Sequence, residues 1–125
     1  MNTRELVQTY FDAINNQDWE TWIALFAESI VIDEALSGHM EGLEAVRQSA
    51  VGIQQGFQRF TNSIDEFVVE DDRAMVVCTI DATTGAGASL RSTGANFYRV
   101  ADGKIVYMSS FHDREPFMKA FGGAA

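Results

Sequence analysis

Apolar residues in the first half of the chain recur every three or four positions, which is the spacing of amphipathic helices. The first stripe consists of Leu6, Val7, Tyr10, Phe11 and Ile14. Asn2 and Glu5 have the spacing of a capping box, which predicts that this helix begins there. A second stripe follows the capping residue Asp18 and consists of Trp19, Trp22, Ile23 and Phe26. A third lies between Gly42 and Gly56 and consists of Leu43, Val46, Ala50 and Ile53.

The remaining segments have the pattern of β-strands. Ile30 to Glu34 is a short β-branched run, closed by Ser37 and Gly38, and predicts a strand between the second and third helices. After Gly56, turn residues separate four further predicted strands, at residues 60–69, 74–83, 88–100 and 104–112. The pattern therefore predicts an α+β fold, in which three helices from the N-terminal half pack on one face of a strongly bent antiparallel sheet.

The composition fits one globular domain. Hydrophobic residues make up 46% of the 125 positions, and the chain has a single proline. We expect one domain over residues 1–121 and a flexible tail over residues 122–125. Cys78 is the only cysteine, which excludes an intrachain disulfide and any structural zinc site with two or more cysteines.

Charge and hydropathy restrict the partners and the compartment. Nine Lys and Arg against eighteen Asp and Glu give a net charge of −9, which disfavours binding to nucleic acid and to anionic membranes. No apolar run has the length of a signal peptide or a membrane span, so we expect a cytoplasmic protein.

The last predicted strand has two largely apolar faces. Residues 105–112 read IVYMSSFH, which places apolar side chains at odd and even positions alike. A single layer of helices covers only one of these faces. We therefore expect a homodimer in which the outer sheet faces of two copies meet.

Two adjacent carboxylates, Asp33 and Glu34, end the first predicted strand. Side chains alternate between the faces of a strand, so Glu34 points the same way as Ile30 and Ile32. Asp33 points with Val31. The pattern leaves open which carboxylate faces a cavity, and a solvated strand end is the alternative. A carboxylate in an apolar cavity has its charged form disfavoured, which suits proton exchange near neutral pH.

Three other polar residues are candidates for the same site. Tyr10 lies on the buried stripe of the first helix, where a phenol needs a hydrogen-bond partner. His112 ends the last strand and points with Met108 and Ser110, so its imidazole is a candidate acid, base or orienting group. His39 lies in a glycine-flanked loop and fits an exposed position better. For each of these residues, a purely structural role is the alternative.

Other chemistries have less support in the sequence. The histidines and carboxylates lack the HxH or HExxH spacing of a preorganised metal site, so we expect neither a metal nor a cofactor. Cys78 lies in the apolar run Met75 to Cys78, where a thiol is usually a small buried hydrophobe.

Four short segments, in this order, resemble a known family. They are residues 10–18 (YFDAINNQD), 24–27 (ALFA), 42–47 (GLEAVR) and 102–105 (DGKI). Together they resemble the SnoaL-like members of the nuclear transport factor 2 superfamily over nearly the whole chain. The resemblance implies a cone-shaped curved antiparallel sheet with three helices that enclose a pocket. Members of this superfamily include polyketide cyclases, ketosteroid isomerases, limonene epoxide hydrolases and non-catalytic binding domains, so fold alone does not identify the activity.

The resemblance also implies roles for individual residues. Aligned without a gap, Tyr10 matches the ketosteroid isomerase tyrosine that donates to the oxyanion, and Glu34 matches the general base. The second oxyanion donor falls at Ala95, with Asn96 beside it, so half of that oxyanion hole is missing here. His112 falls where the isomerase has a cavity aromatic.

We therefore expect a small-molecule acid/base enzyme of the isomerase or cyclase type, without a cofactor, which acts on an apolar carbonyl metabolite. Glu34 is the expected base, Tyr10 the donor to the enolate, and His112 the group that protonates or orients. The expected pocket wall consists of Phe11, Trp22, Phe26, Ile32, Ile53, Phe57, Ile80, Ala95, Phe97, Met108 and Ser110. The alternatives are an epoxide hydrolase-like enzyme, for which Arg91 is the candidate arginine, and a non-catalytic ligand-binding or dimerisation domain.

Overall fold

The structure, a computed structural model, describes residues 1–122 and shows the predicted α+β fold. Positions 123–125 of the expected tail lie outside the described residues. The elements, in chain order, are α1 (Thr3–Asn15), α2 (Trp19–Ala24), β1 (Phe26–Glu34), β2 (Gly38–Glu41), α3 (Leu43–Gly56), β3 (Phe57–Glu70), β4 (Arg73–Thr84), β5 (Ser89–Ala101), β6 (Lys104–His112) and α4 (Glu115–Ala120).

The predicted helix starts are confirmed. The Asn2 side chain accepts from the backbone N–H of Glu5 at 2.9 Å, and the Glu5 carboxylate accepts from the backbone N–H of Asn2 at 3.0 Å. Asp18 caps α2 by accepting from the backbone N–H of Thr21 at 3.2 Å. The second helix ends earlier than its apolar stripe indicates, because Phe26 already belongs to β1.

The six described strands form one curved sheet in the order β2-β1-β6-β5-β4-β3. The hairpins β3–β4, β4–β5 and β5–β6 are antiparallel, as predicted. The pair β1–β6 is parallel, with Asp33 opposite Ser109, so the sheet is mixed and not wholly antiparallel. This parallel pair places the end of β1 beside the end of β6, and it brings Glu34 next to Ser110.

Two short elements were not predicted. Gly38–Glu41, expected to be a loop, forms β2 and pairs with β1 at the edge of the sheet. Glu115–Ala120 forms α4, which has a proline in its first turn and packs against β5. A strand of four residues and a helix of six are too short to produce a recognisable periodic pattern.

The main core lies between α1, α2, α3 and the inner face of the sheet. Its fully buried side chains include Leu6, Phe11, Ile30, Tyr98 and Ile105. Among the described residues, no helix has both the length and the apolar character that a membrane crossing requires.

Candidate active site

A cavity of about 390 Å³ opens between the helices and the inner face of the sheet. Its volume lies within the range of about 300–1,000 Å³ that is typical of small-molecule sites. Most of its wall is apolar, and a smaller number of polar side chains are set into that wall. The described residues that line it include no lysine or arginine.

Glu34 ends β1 and lines this cavity. Its Oε2 atom accepts hydrogen bonds from the backbone N–H groups of Leu36 (2.7 Å) and Ser37 (2.6 Å) in the turn that follows. The Ser110 hydroxyl donates to Oε1 at 3.3 Å and accepts from the backbone N–H of Ala35 at 3.2 Å. The turn and β6 therefore hold the carboxylate in one orientation.

Asp33 does not line the cavity, because neighbouring residues of a strand point to opposite faces. Its carboxylate accepts from the Tyr107 hydroxyl at 2.7 Å and lies 2.7 Å from His39 Nδ1. His39 Nε2 lies 2.8 Å from Glu41. The Tyr107 hydrogen bond, followed by that of His39, holds the pKa of Asp33 below its usual range. Glu41 and Asp33 in turn raise the pKa of His39.

The imidazole of His112 lies against Gly94, its partner across the β5–β6 pair, and lines the cavity. A Cβ atom at Gly94 would lie 2.6 Å from both Cγ and Nδ1 of the ring, so a glycine is needed here. His112 Nε2 lies 3.8 Å from the Sγ atom of Cys78. Burial lowers the pKa of His112, although the charge of Glu34 opposes this shift. The imidazole is therefore uncharged at neutral pH.

Cys78 is fully buried on β4. Burial raises the pKa of its thiol to about 11, so the sulfur stays protonated at neutral pH. Among the described residues, no group of three or more His, Cys, Asp or Glu side chains is arranged to hold a metal ion.

Tyr10 lies on α1 with its ring packed edge-on against other aromatic rings, including that of Tyr98 at a centroid distance of 5.1 Å. Burial raises the pKa of its phenol well above the usual range, and the charge of Glu34 adds to the rise. The hydroxyl therefore keeps its proton at neutral pH. Because Tyr10 lines the cavity, it is a candidate hydrogen-bond donor to a ligand.

Four buried polar atoms in the described part of the chain have no hydrogen-bond partner: Trp22 Nε1, Asn62 Oδ1, Asn96 Oδ1 and His112 Nδ1. All four residues line the cavity. An unpaired buried polar atom typically costs about 1–3 kcal/mol, so such atoms are rare in native proteins and need an explanation. Asn62 is absent from the predicted site, and Asn96 enters it only as the neighbour of Ala95. The sequence signal that could have identified both residues is an asparagine at an inward position of a strand.

The expected wall residues divide into two groups. Those that line the cavity are Trp22, Ile32, Ile53, Phe57, Ile80, Met108 and Ser110. Phe11 and Phe26 lie instead in the core, with exposures of 1% and 3%. Ala95 and Phe97 are on the outer face of the sheet, because Asn96 and Tyr98 occupy the buried inward positions of β5. The structure thus corrects the assignment of these four residues to the wall.

Arg91 is also on the outer face. Its guanidinium lies 3.3 Å from the carboxylate of Asp81, which Arg59 contacts at 2.6 Å. These two arginines lower the pKa of Asp81, chiefly through the hydrogen bond from Arg59. The arginine that an epoxide hydrolase would need inside the cavity is therefore not supplied by Arg91.

A family model for the SnoaL-like domain matches residues 7–108. The chain belongs to the SnoaL-like domain family. A comparison with curated proteins gave no match. The fold and the sequence pattern thus agree on the family, and the activity within this family depends on the residues of the site.

Solved structures of three proteins show the same fold as this SnoaL-like domain. A nuclear transport factor 2-like protein from Burkholderia thailandensis E264 has a TM-score of 0.87 and 22% identity, with 97% of this chain and 98% of that chain covered. A candidate polyketide cyclase from Pseudomonas putida KT2440 has a TM-score of 0.84 and 18% identity, with 96% of this chain and 98% of that chain covered. An LEH-like epoxide hydrolase from M. tuberculosis has a TM-score of 0.79 and 16% identity, with 93% of this chain and 86% of that chain covered.

Proposed function

We propose that this SnoaL-like domain is an acid/base enzyme of the isomerase or cyclase type, which acts on a largely apolar carbonyl compound without a cofactor. The observation that carries the proposal is that Glu34, Tyr10 and His112 line one cavity whose wall is otherwise mostly apolar. In one apolar site, a carboxylate is a base, a protonated phenol is a donor to the enolate oxygen, and an uncharged imidazole is a second group that positions the substrate.

In the proposed reaction Glu34 is the base. Its carboxylate removes a proton from the carbon next to the substrate carbonyl, and the electron pair moves to the carbonyl oxygen to form an enolate. The Tyr10 hydroxyl donates a hydrogen bond to that oxygen. In a substrate with a C=C bond next to the deprotonated carbon, isomerisation returns the proton from Glu34 to the far carbon of that bond, and the double bond moves next to the carbonyl. Cyclisation instead joins the enolate carbon to a second carbonyl carbon of the same molecule, whose oxygen then takes the proton.

His112 assists this chemistry as an uncharged group. Its lowered pKa leaves the imidazole uncharged, with a ring N–H that orients the substrate by a hydrogen bond or donates a proton to it. Gly94 leaves the room that keeps this ring on the cavity wall. The hydrogen bonds from Leu36, Ser37 and Ser110 supply the corresponding orientation for Glu34.

The fold shared with a candidate polyketide cyclase is compatible with this reaction class. The epoxide hydrolase alternative needs a second carboxylate and an arginine in the cavity. Among the described residues that line the cavity, Glu34 is the one acidic side chain. Arg91 lies outside the cavity. If Glu34 is dispensable for proton exchange, the remaining alternative is a non-catalytic ligand-binding domain.

Proton abstraction can be tested before the substrate is known. We expect the protein, incubated in D₂O with a panel of cyclic and polycyclic ketones, to accelerate deuterium incorporation next to the carbonyl of at least one ketone, as detected by mass spectrometry. Replacing Glu34 with Gln keeps the shape and removes the base, so the rate should fall by about 10²–10⁴-fold.

Glu28→Gln is the matched control, because Glu28 is an exposed residue of the same strand outside the cavity. This variant should exchange the ketone at the rate of the unchanged protein. Equal exchange rates for Glu34→Gln and Glu28→Gln would exclude Glu34 as the base. Ligand binding with no exchange in any variant would favour the non-catalytic domain.

A further inference from the structure

The cavity wall contains polar atoms that the proposed proton transfer does not use. We propose that the cavity takes an uncharged ligand with hydroxyl groups, which donate hydrogen bonds to the side-chain carbonyls of Asn62 and Asn96. The inference rests on the proposed function only in treating this ligand as a substrate. The physical basis of the inference is hydrogen bonding between ligand hydroxyls and these amide oxygens. Such hydrogen bonding does not depend on catalysis.

Asn62 presents its amide to the cavity from a fixed backbone. β3 is an edge strand, and its backbone at Asn62 is paired by Asn15, which accepts from the N–H at 2.7 Å and donates to the carbonyl at 2.9 Å. The side chain is only 4% exposed and its Oδ1 atom has no partner among the described residues. Because Asn62 lines the cavity, its amide oxygen is an acceptor at the wall that no described protein group pairs.

Asn96 presents a second acceptor from β5. Its Nδ2 donates to the Tyr98 hydroxyl at 3.0 Å, which orients the amide. The Oδ1 atom is left without a partner in a side chain that is 3% exposed. The hydrogen bond from Nδ2 therefore fixes the amide and leaves its carbonyl oxygen as an unpaired acceptor.

Trp22 adds a hydrogen-bond donor to the two acceptors of the cavity wall. Its buried indole N–H is a donor without a described partner. A hydroxyl group both donates and accepts, so hydroxyls are able to pair with the asparagine oxygens and with this N–H. A ketone without hydroxyls offers only an acceptor, and it would leave both amide oxygens of Asn62 and Asn96 unpaired. The wall therefore favours a hydroxylated compound over a simple ketone.

The charges around the cavity argue for an uncharged ligand. Glu34 lines the wall, and no described lining residue is a lysine or arginine, so nothing here compensates an anionic ligand. His112 has a lowered pKa and is uncharged at neutral pH. An ammonium ligand is disfavoured because transfer of a cation into a largely apolar wall removes its hydration. A neutral hydroxyl satisfies the amide oxygens without that cost.

The test compares two probes of similar shape, 2,6-naphthalenediol and 2,6-dimethylnaphthalene, by equilibrium dialysis with absorbance detection. We expect the unchanged protein to bind the diol about tenfold more tightly than the dimethyl compound, the factor for one or two net hydrogen bonds. Asn62→Leu and Asn96→Leu each replace an amide by an apolar group of similar size. Each should reduce the preference for the diol by about threefold, an equal share of the tenfold preference.

Two further variants are controls for this inference and for the proposed function. Asn16→Leu makes the same substitution at an exposed asparagine away from the cavity and should keep the full preference. Glu28→Gln, the exposed control on β1, should keep both this preference and the ketone exchange. Equal binding of the two probes to the unchanged protein, or an unaltered preference in both leucine variants, would overturn the inference while leaving Glu34 as the base.

Thermal unfolding without ligand gives a second readout. If the asparagine stabilised the fold, its replacement would destabilise the protein. Because the Asn62 oxygen is unpaired, Asn62→Leu should instead leave the melting temperature unchanged or raise it. A stable Asn62→Leu protein that has lost its preference for the diol supports the inference. A large drop in melting temperature for this variant would show a structural role and count against it.

Discussion

At the scale of single residues, the two histidines have opposite surroundings. Burial in the cavity wall lowers the pKa of His112, whereas the carboxylates of Glu41 and Asp33 raise the pKa of His39. Both shifts start from the ordinary value of 6.5. The two imidazoles should therefore titrate on opposite sides of pH 6.5, which NMR of the ring resonances would measure directly.

The sign of each effect on stability follows from linkage. The unfolded chain binds the His112 proton more tightly than the folded protein does, so His112 reduces stability as the pH falls below about 6.5. His39 has the opposite sign: its contribution is fully present below about 6.5 and is lost as the pH rises through its higher folded value. His39→Gln should remove the higher titration and leave the lower one. Two coincident titrations near 6.5 would contradict both assignments.

Alternation along a strand predicted some residues of the site and misplaced others. It groups Glu34 with Ile30 and Ile32, and in the structure these three side chains do point inward. On β5 the same rule gave the wrong face, because Phe97 is apolar enough to suggest an inward position. The buried residues there are Asn96 and Tyr98, whose polar atoms pair with each other. Pairing of this kind depends on three-dimensional neighbours that a single sequence does not reveal.

At the scale of elements, Asn15 joins the end of α1 to the edge strand β3. Its side chain makes two hydrogen bonds to the backbone of Asn62, at 2.7 and 2.9 Å, and so pairs groups that an edge strand otherwise exposes. Asn15→Ala should lower the free energy of unfolding by about 1–3 kcal/mol, since two partly buried hydrogen bonds are lost. Urea unfolding would measure this change.

Asn16→Ala is the control for this link. Asn16 is the next residue and makes one exposed hydrogen bond, to the backbone carbonyl of Asp12 at 2.9 Å. Its replacement should change the free energy of unfolding by roughly 0.5 kcal/mol or less. Losses of the same size in the two variants would show that the contact between α1 and β3 adds nothing specific.

The elements that could be predicted are those long enough to show a period. α1 and α3 have 13 and 14 residues and were recognisable from their apolar stripes. The parallel pairing of β1 with β6 could not be predicted in the same way, because it joins strands far apart in the chain. Nothing local distinguishes a parallel partner from an antiparallel one. Yet this pairing is what places Ser110 beside Glu34.

At the scale of the whole molecule, the outer face of the sheet carries a continuous apolar patch. Val77, Ala95 and Phe111 lie side by side across β4, β5 and β6, and Met75 is paired with Phe97 in the next row. Phe111 is 60% exposed and Met75 is 41% exposed. Apolar side chains grouped in this way usually mark a protein interface. We propose that the patch is buried in a homodimer with two-fold symmetry, because a self-complementary face pairs with its own copy.

Sedimentation equilibrium tests the dimer and locates its interface. At micromolar concentration we expect a mass near twice the chain's 13.8 kDa. Val77→Glu adds a charge at the middle of the patch, and in a dimer the two glutamates would be buried close together, so the mass should fall towards that of one chain. Val51→Glu is the matched control, since Val51 is similarly exposed but lies on α3. A monomeric unchanged protein would contradict the dimer, and dissociation by Val51→Glu alone would place the interface on the helices.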